Sequence, residues 1–183
     1  AEDPVRMLRA CKLQGQYGFT LEPAVAAAMT DQAASFELAS QARRLEELYK
    51  ILHKPFTLPT FAACMQGGIL AYLLPELATA WDLPEGQFCQ ELLAARDQLL
   101  KAGDIFPSRV TGLATLALPF LDSRGEGDVH ELWHNEAGAD RRIRQRVRQF
   151  YEKYQLPKAM SAKVRDVLLL QPKFYDGGGT KRV

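Results

Sequence analysis

The sequence contains little that favours a β-sheet or a membrane-spanning segment. Valine and isoleucine together number 12, whereas leucine and alanine number 26 and 24, and these two residues favour helices. No segment shows sustained alternation of apolar and polar residues, so no strand is predicted. The apolar runs fall far short of the roughly 20 residues that a transmembrane helix needs, so we expect no membrane partner. The sequence therefore predicts an all-α fold.

Cysteines are few and widely separated. Cys11, Cys64 and Cys89 are odd in number and form no C-x-x-C pair, which argues against a disulfide framework or a cysteine-rich zinc site. We interpret them as reduced, mostly buried residues, and this usage is typical of a cytoplasmic protein.

Helical patterns, caps and breakers predict a series of short helices. Gly18 and Gly103 are expected to end two of them, and Ser40 and Ser108 are expected to cap two others. The predicted helices cover about 4–17, 22–33, 40–53, 58–66, 69–79, 82–102, 108–121, 128–137, 140–154 and 158–170.

The beginning of the chain combines a helix cap with two arginines. Asp3 suits an N-cap position and Pro4 the first helical position after it. Because Asp3 and Arg6 are three residues apart, an acceptor and a planar donor can reach the same point and contact the edge of a nucleobase. The alternative is an ordinary capped helix with solvated arginines, and the spacing alone favours that alternative.

The third predicted helix carries several charged residues beside an apolar stripe. Arg43 with Glu47, and Glu46 with Lys50, are opposite charges four residues apart, which in most helices is a surface feature. By its pattern alone, this segment is an ordinary amphipathic helix.

A basic stretch from Arg141 to Arg148 holds five arginines in eight residues, although the net charge of the chain is only +1. Helical spacing places Arg141, Arg144 and Arg148 on one face, opposite an apolar face formed by Ile143, Val147 and Phe150. Such a face either binds phosphates or is simply solvated, and the pattern alone leaves both interpretations open.

Two segments together resemble the bacterial poly(A) polymerases and CCA-adding tRNA nucleotidyltransferases, the class II nucleotidyltransferases. The first segment is E-D-P-V-R-M-L-R-A (2–10) followed by Q-Y-G-F (16–19), and the second is the arginine with its Glu-Glu step at 43–47. Residues 68–77 and the L-P-K step at 156–158 also resemble this family.

The resemblance implies specific roles for residues of both segments. Asp3 and Arg6 would contact the base of the incoming nucleotide, and the second segment would brace them. The implied nucleotide-binding residues are Asp3, Arg6, Arg9, Arg43, Glu46 and Glu47. The resemblance also favours contact between the RNA backbone and the basic residues of the last part of the chain. The candidates are Arg141, Arg144, Arg148, Lys158, Lys163 and Arg165.

The resemblance further implies a division of the chain and a missing catalytic part. We expect a neck over 1–55, an RNA-binding helical body over 56–175 and a disordered tail over 176–183. The chain has no D-x-D pair and no glycine-rich phosphate loop, so we expect it to begin at the junction with a catalytic head that lies outside it.

The implied activity is AMP transfer from ATP to RNA 3′ ends. We expect Mg²⁺ and ATP to serve the full-length enzyme and no cofactor to be held by this segment. CCA addition to tRNA is the nearest alternative, and a free-standing helical RNA-binding module is a non-enzymatic one.

One motif indicates different chemistry. His130, Glu131 and His134 fit H-E-x-x-H, in which two histidines one helical turn apart bind zinc and the glutamate acts as a base. This short pattern often arises by chance, and the remaining histidine, His53, is distant in sequence. We therefore rank a zinc hydrolase below the nucleotidyltransferase interpretation and expect no metal site.

Overall fold

The structure, a computed structural model, describes residues 3–121 and 136–175. All regular structure in these ranges is helical, which confirms the predicted all-α fold. No described helix is both long and apolar enough to cross a bilayer. The α-helices are α1 (Val5–Tyr17), α2 (Pro23–Asp31), α3 (Gln41–Leu52), α4 (Thr57–Gln66), α5 (Leu70–Leu73), α6 (Pro75–Thr79), α7 (Pro84–Ala102), α8 (Arg109–Ala117), α9 (Glu136–Tyr154) and α10 (Lys158–Tyr175).

Helix boundaries follow most of the predicted caps, with several differences. Gly18 and Gly103 end α1 and α7 with φ of 69° and 80°, as the C-cap prediction requires. The helix predicted at 69–79 is divided at Leu74, because a residue before proline is driven out of the helical region. The structure adds two 3₁₀ helices that were not predicted, Ala33–Leu38 and Leu118–Phe120, and α10 extends beyond residue 170. The helix predicted at 128–137 lies almost wholly outside the described residues.

The chain forms two compact units, Ala1–Arg109 and Val110–Val183. This boundary differs from the predicted functional division after residue 55, which stays a prediction. The tail predicted at 176–183 lies outside the described residues. In the first unit the fully buried side chains include Leu8, Phe36, Leu48, Phe61 and Leu93, and in the second they include Leu113, Ile143 and Leu156.

Helices α1 and α4 pack closely because α1 presents a glycine at the point of contact. A Cβ atom on Gly15 would lie 2.4 Å from the Thr60 hydroxyl oxygen and 2.6 Å from the Thr60 backbone nitrogen. Nearby, the buried thiols of Cys11 and Cys64 influence each other, which lowers the pKa of Cys11 and raises the pKa of Cys64 well above its ordinary value. All three cysteines are buried and outside any disulfide, and burial raises the pKa of Cys89 to about 12.

Two charged residues of α7 hold the corner between α3 and α4. The buried Arg96 guanidinium donates to the Leu52 carbonyl at the end of α3, and the Asp97 carboxylate accepts from the Leu58 N–H at 2.9 Å. A cation thus meets a helix C-terminus and an anion meets a helix N-terminus, which is the favourable order for both helix dipoles. This corner fixes where α3 presents its charged face.

Candidate functional site

The two charged segments of the first unit meet through an ion pair. Asp3 Oδ2 accepts a hydrogen bond from Arg43 Nη2 at 2.6 Å, across 40 positions of sequence. Asp3 Oδ1 also accepts from the Val5 backbone N–H at 3.2 Å. The N-cap of α1 is Pro4, one residue later than predicted, so Asp3 holds the start of the helix from the position before the cap. Both side chains are partly exposed, at 27% for Asp3 and 50% for Arg43. The carboxylate is therefore held in place and still reached by solvent.

The remaining cations of the first segment lie beside this pair along α1. Val5, Leu8 and Cys11 form the buried face of the helix, while Arg6 and Arg9 are exposed. The start of α1, with Asp3 just before it, thus presents a carboxylate held by Arg43 and, next to it, exposed guanidinium groups. Such an arrangement can both accept hydrogen bonds from a ligand and donate hydrogen bonds to it.

Glu47 forms a second bridge between α3 and α1. Its carboxylate is buried, at 7% exposure, and pairs with Lys12 of α1 and with Lys50 at 2.7 Å. Burial by itself raises the pKa of this carboxyl, but the hydrogen bonds and charges of Lys12 and Lys50 outweigh it, so the pKa lies below its ordinary value. Glu47 is accordingly an ionised residue that braces α1 against α3.

Glu46 contacts a different set of residues from Arg43 and Glu47, and its role in nucleotide binding stays a prediction. Its carboxylate lies 3.7 Å from the guanidinium of Arg109, which stacks over the Tyr49 ring at 4.5 Å. The structure therefore groups Glu46 with Arg109 and Tyr49, while Arg43 and Glu47 face α1. The pairs expected from i,i+4 spacing are also replaced, because Arg43 reaches Asp3 and Lys50 reaches Glu47.

Two participants were missed by the sequence reasoning. Lys12 lies seven and four residues after Val5 and Leu8, which places its stem on the buried face of α1. A cation on an apolar face indicates a partly buried partner, and this signal was available. Arg109 is the first residue of α8 and has no such pattern around it, so only the fold reveals its contact with Tyr49.

The second unit contains a groove between α9 and α10 that collects basic side chains. Its volume is about 320 Å³, and its lining includes four of the six predicted RNA-binding residues. The lining residues are Arg144, Val147, Arg148, Lys158, Ser161, Ala162 and Arg165. The face assignment for α9 is confirmed, because Ile143, Val147 and Phe150 are buried.

Two of the predicted RNA-binding cations do not line the groove, and two of the arginines that do line it are paired with carboxylates. Arg141 and Lys163 are exposed and are absent from the described lining of the groove. Within the groove, Arg148 pairs with Glu152 at 2.9 Å and Arg165 with Asp166 at 2.6 Å. A ligand phosphate would thus compete with two carboxylates for these guanidinium groups.

The H-E-x-x-H motif, His130 with Glu131 and His134, lies outside the described residues. Within residues 3–121 and 136–175, no group of three or more His, Cys, Asp or Glu side chains is placed to hold a metal ion.

Comparison with known proteins relates part of the chain to one family. Residues 18–80 match the family described as the probable RNA and SrmB-binding site of polymerase A. The CCA-adding enzyme of Geobacillus sp. (strain WCH70) is 33% identical over 73 residues, which are 40% of this chain and 18% of that enzyme. The matched stretch thus spans less than a fifth of that relative. No solved structure matches the chain.

The predicted resemblance to the poly(A) polymerase and CCA-adding enzyme family is thereby confirmed over this part of the chain. The family match contains the second charged segment on α3. It contains neither Asp3 nor the groove of the second unit.

Proposed function

We propose that this chain, related through residues 18–80 to the poly(A) polymerase and CCA-adding enzyme family, is the nucleotide-recognising and RNA-binding part of a template-independent RNA nucleotidyltransferase. The observation that carries the proposal is the ion pair between Asp3 and Arg43. This ion pair brings together the two segments that carry the family resemblance, one at the start of the chain and one on α3. The segment on α3 lies within the matched residues 18–80.

The chemistry at the start of α1 suits a particular kind of base edge. The Asp3 carboxylate has acceptor capacity beyond the two hydrogen bonds described, and Arg6 supplies planar donors. An exocyclic amino group next to an unprotonated ring nitrogen complements this arrangement. Adenine and cytosine both present that edge, whereas guanine and uracil present a carbonyl next to a ring N–H. The proposed preference is therefore for ATP and CTP.

The groove of the second unit supports an RNA backbone ligand. Four cationic side chains and the Ser161 hydroxyl line one depression, and phosphate oxygens accept from all of these groups. Binding there would release counterions, so affinity should fall as salt rises.

The full-length enzyme would transfer AMP from ATP to an RNA 3′ hydroxyl. The hydroxyl would lose its proton and its oxygen would bond to the α-phosphorus. The bond between that phosphorus and the oxygen bridging to the β-phosphate would break, and pyrophosphate would leave. Mg²⁺ would serve this step in a catalytic head that lies outside this segment, because the chain has no D-x-D pair. A cytoplasmic location fits the buried, unpaired cysteines.

A second candidate function is CCA addition to tRNA, and the identity with a CCA-adding enzyme favours it. The proposed base edge fits both activities, since CCA addition uses CTP and ATP. Nucleotide incorporation by the full-length protein, on a tRNA lacking its 3′ end and on an unrelated RNA, separates them.

ATP-only tailing of both RNAs would support the polymerase, whereas addition confined to tRNA and requiring CTP would support the CCA enzyme. Failure to incorporate any nucleotide under either condition would contradict the proposal. The 183-residue chain alone is expected to add nothing, and metal-dependent tailing by it would contradict the assignment of catalysis to another part.

A further inference from the structure

The C-terminal end of α1 carries an exposed pair of stacked aromatic rings. The rings of Tyr17 and Phe19 are 5.4 Å apart between centroids and inclined by 28°. Their exposed fractions are 57% and 61%, so most of both side chains is open to solvent. Gly18 between them has a φ of 69°, which ends the helix and reverses the chain.

This aromatic pair continues an exposed face that begins at the proposed nucleotide site. Arg6, Arg9, Leu13 and Tyr17 recur at helical spacing, and all four are exposed. The rise from Arg6 to Tyr17 is about 16 Å along the helix axis, a length of two to three nucleotides of extended single strand. Cations thus occupy one half of this face, and the apolar Leu13 and the aromatic Tyr17 occupy the other half.

We propose that Tyr17 and Phe19 form a stacking platform for an unpaired base of RNA whose phosphates run along α1 toward Arg9 and Arg6. Aromatic rings beside a basic track are the combination that binds single-stranded nucleic acid without strong sequence preference. The base must be unpaired, because a base within a duplex has both faces covered. The platform rests on the proposed function and adds a contact for the RNA strand next to the nucleotide.

A docked protein segment is the competing occupant of this face. An apolar protein contact would use the area of the side chains and would tolerate leucine in place of the rings. A nucleobase uses the flat π surface, which leucine lacks. The adjacent arginines complement a polyanion, which favours RNA.

The test compares RNA affinities of the 183-residue chain at low salt by fluorescence anisotropy, with short single-stranded oligoadenylate as the probe. Double replacement Tyr17→Leu with Phe19→Leu should weaken binding at least about fivefold, the effect of removing one stacked base. Phe106→Leu is the matched control, because Phe106 is an 89% exposed aromatic residue that belongs neither to α1 nor to the stacked pair. An abasic strand of the same length should bind the double variant and the parent equally.

Equal affinity of the double variant and the parent for oligoadenylate would overturn the platform while leaving RNA binding intact. An equal decrease in affinity for the abasic strand would also overturn it, because stacking needs a base. Absence of any salt-sensitive RNA binding by the parent chain would overturn both the platform and the proposed function. Circular dichroism and the thermal midpoint should be unchanged, since both replaced side chains are exposed.

Discussion

The Asp3 carboxylate accepts a hydrogen bond from the Arg43 guanidinium at 2.6 Å and so joins the segment just before α1 to the first turn of α3. A few residues further along the same two helices, Lys12 pairs with the buried Glu47. The two bridges set the orientation of α1 relative to α3. The proposed base-reading residues of α1 therefore depend on charged partners in α3.

The first prediction concerns what the Asp3–Arg43 pair contributes. Because both side chains are partly exposed, Arg43→Ala should lower the free energy of unfolding by less than about 1 kcal/mol. It should nevertheless weaken ATP binding several-fold, since Asp3 loses the group that orients its carboxylate. Lys54→Ala removes an exposed cation just beyond α3 and serves as the control. Urea unfolding and calorimetric titration with ATP measure the two quantities, and ATP affinity equal to that of the parent would contradict the assignment.

The second prediction concerns pH and the Glu47 bridge. The pKa of Glu47 lies below its ordinary value of 4.5, so its ionised form stabilises the fold at neutral pH. This contribution should be present above pH 4.5 and be lost as the pH falls through the lower pKa of the folded state. Glu47→Gln should flatten the acid limb of a stability–pH curve measured by urea unfolding. An acid limb identical to that of the parent would show that Glu47 does not titrate in this way.

The third prediction reverses the usual effect of replacing a helical glycine. In an exposed helix, Gly→Ala stabilises by up to about 1 kcal/mol. Gly15→Ala should instead destabilise by about 1–3 kcal/mol, because the new Cβ would meet the Thr60 backbone at 2.6 Å. The control is Gln16→Ala at the neighbouring exposed position, which should change the free energy of unfolding by no more than about 0.5 kcal/mol. Increased stability of Gly15→Ala in thermal or urea unfolding would mean that α1 and α4 are not in close contact there.

Much of the fold could be predicted from local signals in the sequence. A cap determines where a helix begins or ends through local contacts alone. Gly18 and Gly103 therefore predicted where α1 and α7 end, and Ser40 predicted where α3 begins. The 3₁₀ segment Ala33–Leu38 carries no comparable signal and was missed.

The candidate site was predictable only in part, because its contacts are long-range. The three-residue spacing of Asp3 and Arg6 is local, and both residues lie at the start of α1. Helical spacing assigned Arg43 to Glu47, whereas the fold supplies Asp3, a partner 40 residues away. Glu46 and Glu47 are adjacent in sequence and point to different partners, which spacing along one helix cannot reveal.

The most direct test of the account is the salt dependence of single-stranded RNA binding by the 183-residue chain. Plotted against log salt concentration, the logarithm of the binding constant should fall linearly. Replacing Arg144 and Arg148 with alanine should weaken binding to all RNA sequences and make this slope shallower by about 0.7 for each phosphate that the variant no longer neutralises. Lys101→Ala, which removes an exposed cation at the end of α7, should leave both quantities unchanged. Affinity and slope equal to those of the parent in the double variant would contradict the account, because the groove between α9 and α10 would then be only a solvated surface.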